Sequence, residues 1–99
     1  MSGNLADLRL QERDGFDLGT DVGRVQKNAR EVLVVRLTQY MGHDLCDMRL
    51  WVLDACGTAL AMTPKGVSFA RRLLPEVIAL LQRAERAATA PNADPFREE

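Results

Sequence analysis

Sulfur, imidazole and aromatic groups are all scarce in these 99 residues, which hold two cysteines, one histidine, one tryptophan, one tyrosine and three phenylalanines. Cys46 and Cys56 form no C-x-x-C pair and His43 is the sole imidazole, so a zinc site lacks ligands. Two cysteines make no disulfide framework either. The expectation is two reduced thiols in an intracellular protein, with Cys46 filling core. No apolar run approaches the roughly 18 residues of a membrane span, and the first residues show no signal-peptide core. No nucleophile–base pair, phosphate-cradling glycine loop or dinucleotide fingerprint is present. Composition therefore argues against an enzyme, a bound cofactor, a metal and a membrane partner.

Charge is present but unevenly placed. Residues 1–21 set two arginines against five carboxylates, and residues 73–99 set three against five. Between them eight lysines and arginines face four carboxylates, so a net charge of −1 conceals a basic middle between acidic ends. A phosphate backbone meets local charge first. The polar ends also leave only about 65–70 residues to build a core, a size at which one core seldom supplies more than about 3–5 kcal/mol and dimerisation is a common remedy.

Two runs flanking Gly42 alternate with the period of strands. In Val32–Tyr40 the odd positions Leu33, Val35 and Leu37 are apolar, while the even positions end in Arg36, Thr38 and Tyr40. In Leu45–Val52 the residues Cys46, Met48, Leu50 and Val52 fall on one side, and Asp47, Arg49 and Trp51 on the other. This predicts one core face and one open, wet face carrying arginines beside large aromatics. Guanidinium on phosphate and rings under bases are the chemistry of a single-stranded nucleic-acid grip.

The remaining elements complete the order. Asp21–Gln26 reads as a short leading strand. Met41-Gly42-His43-Asp44 and Asp54-Ala55-Cys56-Gly57 read as hairpin connections, with Gly42 and Gly57 supplying positive φ. Thr58–Phe69 reads as a strand interrupted at Pro64-Lys65-Gly66 by a bulge that re-aims Lys65. From Arg71 to Ala88 the period becomes helical, with Leu73, Val77, Leu80, Leu81 and Ala84 on one stripe and Pro75 in the first turn. The fold class is α+β: a four-stranded antiparallel sheet followed by one C-terminal helix, homodimeric, one sheet face covered by the helix and the other open. Residues 1–21 are expected as an acidic disordered arm, with Leu5–Leu10 making at most a transient helical turn. Residues 22–88 form the domain and 89–99 an acidic tail.

Three blocks resemble one family. Lys27-Asn28-Ala29-Arg30-Glu31 leading into Val32–Arg36, the block Tyr40–Trp51 with its G-x-D-L-x-D-x-R-x-W string, and Thr63-Pro64-Lys65-Gly66-Val67-Ser68 before an apolar helix are similar, in this order, to the transcriptional coactivator family positive cofactor four. The likeness covers about residues 22–87 and is strongest to the shorter bacterial members. It implies a homodimer with the helices at the interface, and binding of single-stranded or melted DNA along the outer sheet faces with little sequence preference. It also implies transcription-machinery partners and a place in the cytoplasm or nucleoid. Carried over by position, Tyr40 and Trp51 occupy or adjoin base-stacking positions, Arg49 and Lys65 match basic contacts, and Lys27 and Arg30 lie near others. Arg36 follows from strand parity alone. Met41, His43 and Pro64 stand where relatives often carry basic residues, which implies modest affinity.

Each residue also has a plainer reading. Tyr40 and Trp51 can be ordinary packing aromatics, Arg49 can be held by Asp47, and Lys65 can be a solvated turn lysine. His43 with Asp44 and Asp47 is a polar hairpin tip before it is a metal or acid–base site, although His43 beside phosphate would gain charge as pH falls. The leading expectation is a dimeric single-stranded DNA-binding transcription regulator using Lys27, Arg30, Arg36, Tyr40, His43, Arg49, Trp51 and Lys65. The alternatives are a protein-interaction dimer with weak nucleic-acid affinity, or an RNA-binding regulator, since stacking and phosphate contacts do not read the sugar.

Overall fold

The structure, a computed structural model, describes residues 5–11 and 19–89. Strands β1 (Thr20–Gln26), β2 (Glu31–Tyr40), β3 (His43–Leu53) and β4 (Leu60–Ala70) lie side by side in chain order, every neighbour antiparallel. A 3₁₀ turn, Arg71–Leu73, leads into helix α1 (Leu74–Thr89). The expected sheet-then-helix order is present. The tail expected beyond the helix, and most of the arm, lie outside the described residues.

β2 and β3 pair without a break from Glu31↔Val52 to Tyr40↔His43. Met41 and Gly42 close the hairpin with φ of 51° and 82°. That is the two-residue turn whose twist suits paired strands, and Gly42 adopts it freely whereas Met41 bears the steric cost of a side chain there. The interruption foreseen in β4 is a bulge within one continuous strand. Arg49 pairs with Gly66 and Trp51 with Met62, so Thr63, Pro64 and Lys65 stand opposite Leu50 alone. Proline needs no ladder donor at such a site. Thr63 Oγ1 stitches the bulge by donating to the Leu50 carbonyl (2.7 Å) and accepting from the Lys65 N–H (3.2 Å). Where β4 rejoins β3, a Cβ on Gly66 would lie 2.5 Å from the Met48 carbonyl oxygen, so only glycine fits without movement.

The register sorts side chains into two faces. Val32, Val34, Arg36, Thr38 and Tyr40 share one with Trp51, Arg49, Asp47, Leu45 and His43 (the arginine face). Leu33, Val35 and Leu37 share the other with Leu50, Met48 and Cys46. The expectation was a covered apolar face and an open arginine face. The structure corrects it: Val32, Val34 and Trp51 are fully buried on the arginine face, whereas Leu33, Val35, Leu37, Met48 and Leu50 are only half-buried. The reason is that Val32 and Val34 make the lower half of the arginine face apolar, and a segment of the chain covers it.

That cover comes from the arm. A 3₁₀ turn at Leu5–Asp7 and the residues to Gln11 form a strap in which Leu5, Ala6, Leu8 and Leu10 pack with Val32, Val34, Trp51, Leu60 and Met62, while Asp7, Arg9 and Gln11 point to solvent. Residues 5–11 of the arm expected to be disordered are therefore built onto the domain. Helix α1 behaves in the opposite way. Only Leu74 and Val77 in it are even half-buried, and everything from Ile78 to Thr89 is exposed, so the helix does not blanket its own sheet as expected. No described helix is long and apolar enough to cross a membrane.

Candidate nucleic-acid interface

The singled-out residues fall into three groups along the β2–β3 hairpin. At the hairpin tip, Tyr40 pairs across from His43 and is 67% exposed, with Met41 beside it at 80%. At the far end, Lys27, Arg30 and Lys65 are all exposed. Lys27 Nζ reaches Glu31 Oε1 at 3.3 Å. Asn28 and Lys27 hydrogen-bond the Glu31 carboxylate and hold it below the usual range, with Lys65, in the β4 bulge opposite Leu50, adding its charge. Nine residue steps lead from Glu31 to Tyr40, about 30 Å of strand at ~3.3 Å per residue. The structure brings the tip pair together and sets Lys27 beside Glu31 a strand length away, with Lys65 in the β4 bulge.

Between them lies a coupled charge cluster. Arg36 is 1% exposed, sits 5.3 Å from the centre of the Trp51 ring and donates to Asp47 Oδ2 at 3.3 Å. Arg49 clasps the same carboxylate, its Nη2 2.9 Å from Oδ1, and donates Nη1 to the Thr63 carbonyl at 3.2 Å. Ser68 Oγ donates to Asp47 Oδ1 at 2.6 Å. Burial pushes the Asp47 carboxyl up, but the hydrogen bonds from Arg49 and Ser68 and the charges of Arg49 and Arg36 outweigh it and hold the group below the usual carboxylate range. Two guanidiniums share this one carboxylate.

This geometry corrects two placements. Arg36 and Trp51, expected on an open face, are both buried in the described chain, and the Trp51 Nε1–H is a buried donor without an acceptor among the described residues. Arg49 is held by Asp47, the plainer of its two readings, yet its side chain keeps 18% exposure. Cys46 is buried and its thiol is pushed up by that burial and by Asp47, while Cys56 is exposed, and both are free. Among the described residues no group of three or more His, Cys, Asp or Glu side chains is placed to hold a metal ion.

Three contributors went unread in the sequence. Arg24 donates from Nη1 to the Ala6 carbonyl (3.0 Å) and the Leu8 carbonyl, and pairs with Asp21. Ser68 completes the Asp47 cluster. Arg71 donates to the Leu45 (3.1 Å) and Thr38 (2.9 Å) carbonyls and pins the start of the helix to the hairpin. The signal for the strap was the spacing of Leu5, Leu8 and Leu10, an apolar side without a partner.

An antiparallel meander with a trailing helix, bearing arginines and aromatics on one face, defines a class of small single-sheet domains. Among solved structures, the chain is similar to a PC4 homolog from Burkholderia pseudomallei, with 33% identity and a TM-score of 0.66 over 74% of this chain and 97% of that one. The chain belongs to the PC4 (positive cofactor four) family. No protein-family model and no curated protein sequence matches it.

Proposed function

We propose that this chain is a homodimeric single-stranded DNA-binding protein that acts as a transcription cofactor and not as an enzyme. The observation that carries the reading is the register of β2 and β3, which aligns Tyr40, His43, Arg36, Arg49 and Trp51 on one face of a family fold. Tyr40 stacks bases at the hairpin tip, where a ring contact is worth about 1–3 kcal/mol. Phosphates are met by Lys27, Arg30 and Lys65 and by the exposed edge of Arg49, and His43 adds charge as pH falls. The family carries the identification further than any single motif.

Dimerisation is supported by what the single chain leaves bare. Ile78, Leu80 and Leu81 are half or more exposed, and Leu33, Val35, Leu37 and Leu50 lie half-buried on the apolar face. The stripe Leu73, Val77, Leu80, Leu81 and Ala84 is the proposed helix contact between copies. A domain of this size gains stability from such burial.

The second reading, a protein-interaction dimer with weak nucleic-acid affinity, is favoured by one observation, the burial of Trp51 and Arg36. Fluorescence anisotropy of a labelled oligonucleotide of about 20 nucleotides, single-stranded against duplex and at two salt concentrations, separates them. With about four phosphate contacts the single-strand affinity should fall with a log–log slope near −3. Absence of any salt-dependent binding at low salt would establish the second reading. A matched RNA strand in the same titration tests the sugar.

A further inference from the structure

We infer that the strap Leu5–Gln11 is a removable cover over the nucleic-acid face, competing with single-stranded DNA for the surface around Trp51. The inference rests on the reading just proposed and adds its regulation. The strap crosses the same face that carries Tyr40 and His43. It runs from Arg24 on β1, which holds the Ala6 and Leu8 carbonyls, to the start of β4, where Leu10 bridges Leu60. What it covers is the part of that face around Val32, Val34 and Trp51, leaving the hairpin tip open.

Three features mark the cover as displaceable. First, among the described residues its main-chain hydrogen bonds to β4 are Gln11 N to Leu60 O (2.8 Å) and Leu60 N to Arg9 O (2.9 Å), and Arg24 holds it from β1. Second, only Leu10 in the strap is buried, and Leu5, Ala6 and Leu8 are half-exposed. Third, the cover fits Trp51 poorly in chemical terms. It seals the indole N–H from water and supplies no acceptor. A buried donor left unpaired opposes the closed state, whereas a phosphate or base acceptor satisfies it.

With the strap shut, DNA meets Tyr40, the exposed edge of Arg49 and the lysines Lys27 and Lys65, but not the Trp51 ring. With the strap displaced, it gains the indole ring between them. Apparent affinity scales with the fraction of molecules whose face is open, so a strap shut nine-tenths of the time weakens binding by about tenfold.

Trp51 is the sole tryptophan and reports its own exposure. In a Cys56→Ser background, Leu10→Cys with Leu60→Cys places a disulfide across the observed bridge, locking the strap when oxidised and freeing it when reduced. The expected result is that the reduced full chain binds a labelled single strand with quenching of Trp51 emission. The oxidised form should lose about tenfold or more in affinity and all of the quenching. Arg24→Ala, which leaves every core residue in place, should bind more tightly than the unmodified chain. Equal affinity of the oxidised and reduced forms, binding without any change at Trp51, or an unchanged Arg24→Ala affinity overturns the inference while leaving the DNA-binding reading intact. No binding by the unmodified chain, the reduced form and Arg24→Ala alike overturns both.

Discussion

Asp47→Asn tests the charge cluster at the centre of the sheet. The substitution keeps the shape and removes the one carboxylate that Arg36, Arg49 and Ser68 share. Arg36 is 2% exposed in its side chain and Arg49 18%, so water cannot fully replace the lost counter-charge. Breaking a buried ion pair by removing one partner costs about 3–5 kcal/mol. For a domain at the lower end of the usual 5–15 kcal/mol of total stability, roughly, that is most of what it has. With a urea slope of about 1–3 kcal/mol per molar, the midpoint should fall by at least about 1 M. Urea denaturation followed by Trp51 emission gives the number. Arg36→Met should cost less, because Asp47 keeps Arg49 and Ser68, and Asp47→Asn should be cheaper in that background than alone. The coupling expected for groups in one network is about 0.5–3 kcal/mol. A cost below about 1 kcal/mol for Asp47→Asn, or strict additivity of the two changes, would refute the shared-carboxylate account. Acid should mimic the substitution. The folded Asp47 carboxyl sits below its unfolded value, so its stabilisation is complete above the unfolded pKa of about 3.9 and is lost as pH falls through the lower folded one. Asp47→Asn should remove that part of the acid sensitivity.

The other expectations are narrower. Met41→Asn relieves a side chain held at φ 51° and should stabilise by about 1 kcal/mol, raising Tm by roughly 4–8 °C in a scan; an unchanged Tm would mean the turn carries no strain. Gly66→Ala forces a Cβ against the Met48 carbonyl and should destabilise by about 1–3 kcal/mol, read by the same denaturation. Lys65→Ala, at an exposed position, should leave stability alone and flatten the salt slope of single-strand binding by about 0.7. Trp51→Ala should unfold much of the protein, at about 3–5 kcal/mol, before it reports on binding, whereas Tyr40→Ala should weaken single-strand affinity without moving Tm.

Local pattern was enough for the elements. The alternation in Val32–Tyr40 and Leu45–Val52 placed β2 and β3, Gly42 placed their turn, and Pro64-Lys65-Gly66 marked the bulge, because each depends on neighbouring residues and backbone sterics alone. The helical stripe after Arg71 was legible for the same reason. Which sheet face is buried was not legible. Val32 and Val34 sit on the same parity as Arg36, so alternation left both faces part apolar, and the answer came from a strap some twenty residues upstream that parity cannot see. Arg49 and Arg36 look alike in the sequence as solvent-facing cations; only the register that sets Asp47 opposite Arg36 and two residues from Arg49 makes them a shared ion cluster. The strands, their turns and the helix follow from short-range periodicity and are written locally in the chain. The tertiary structure alone decided what covers Trp51 and which cations remain free to meet a phosphate, since burial and pairing are set by segments distant in the chain.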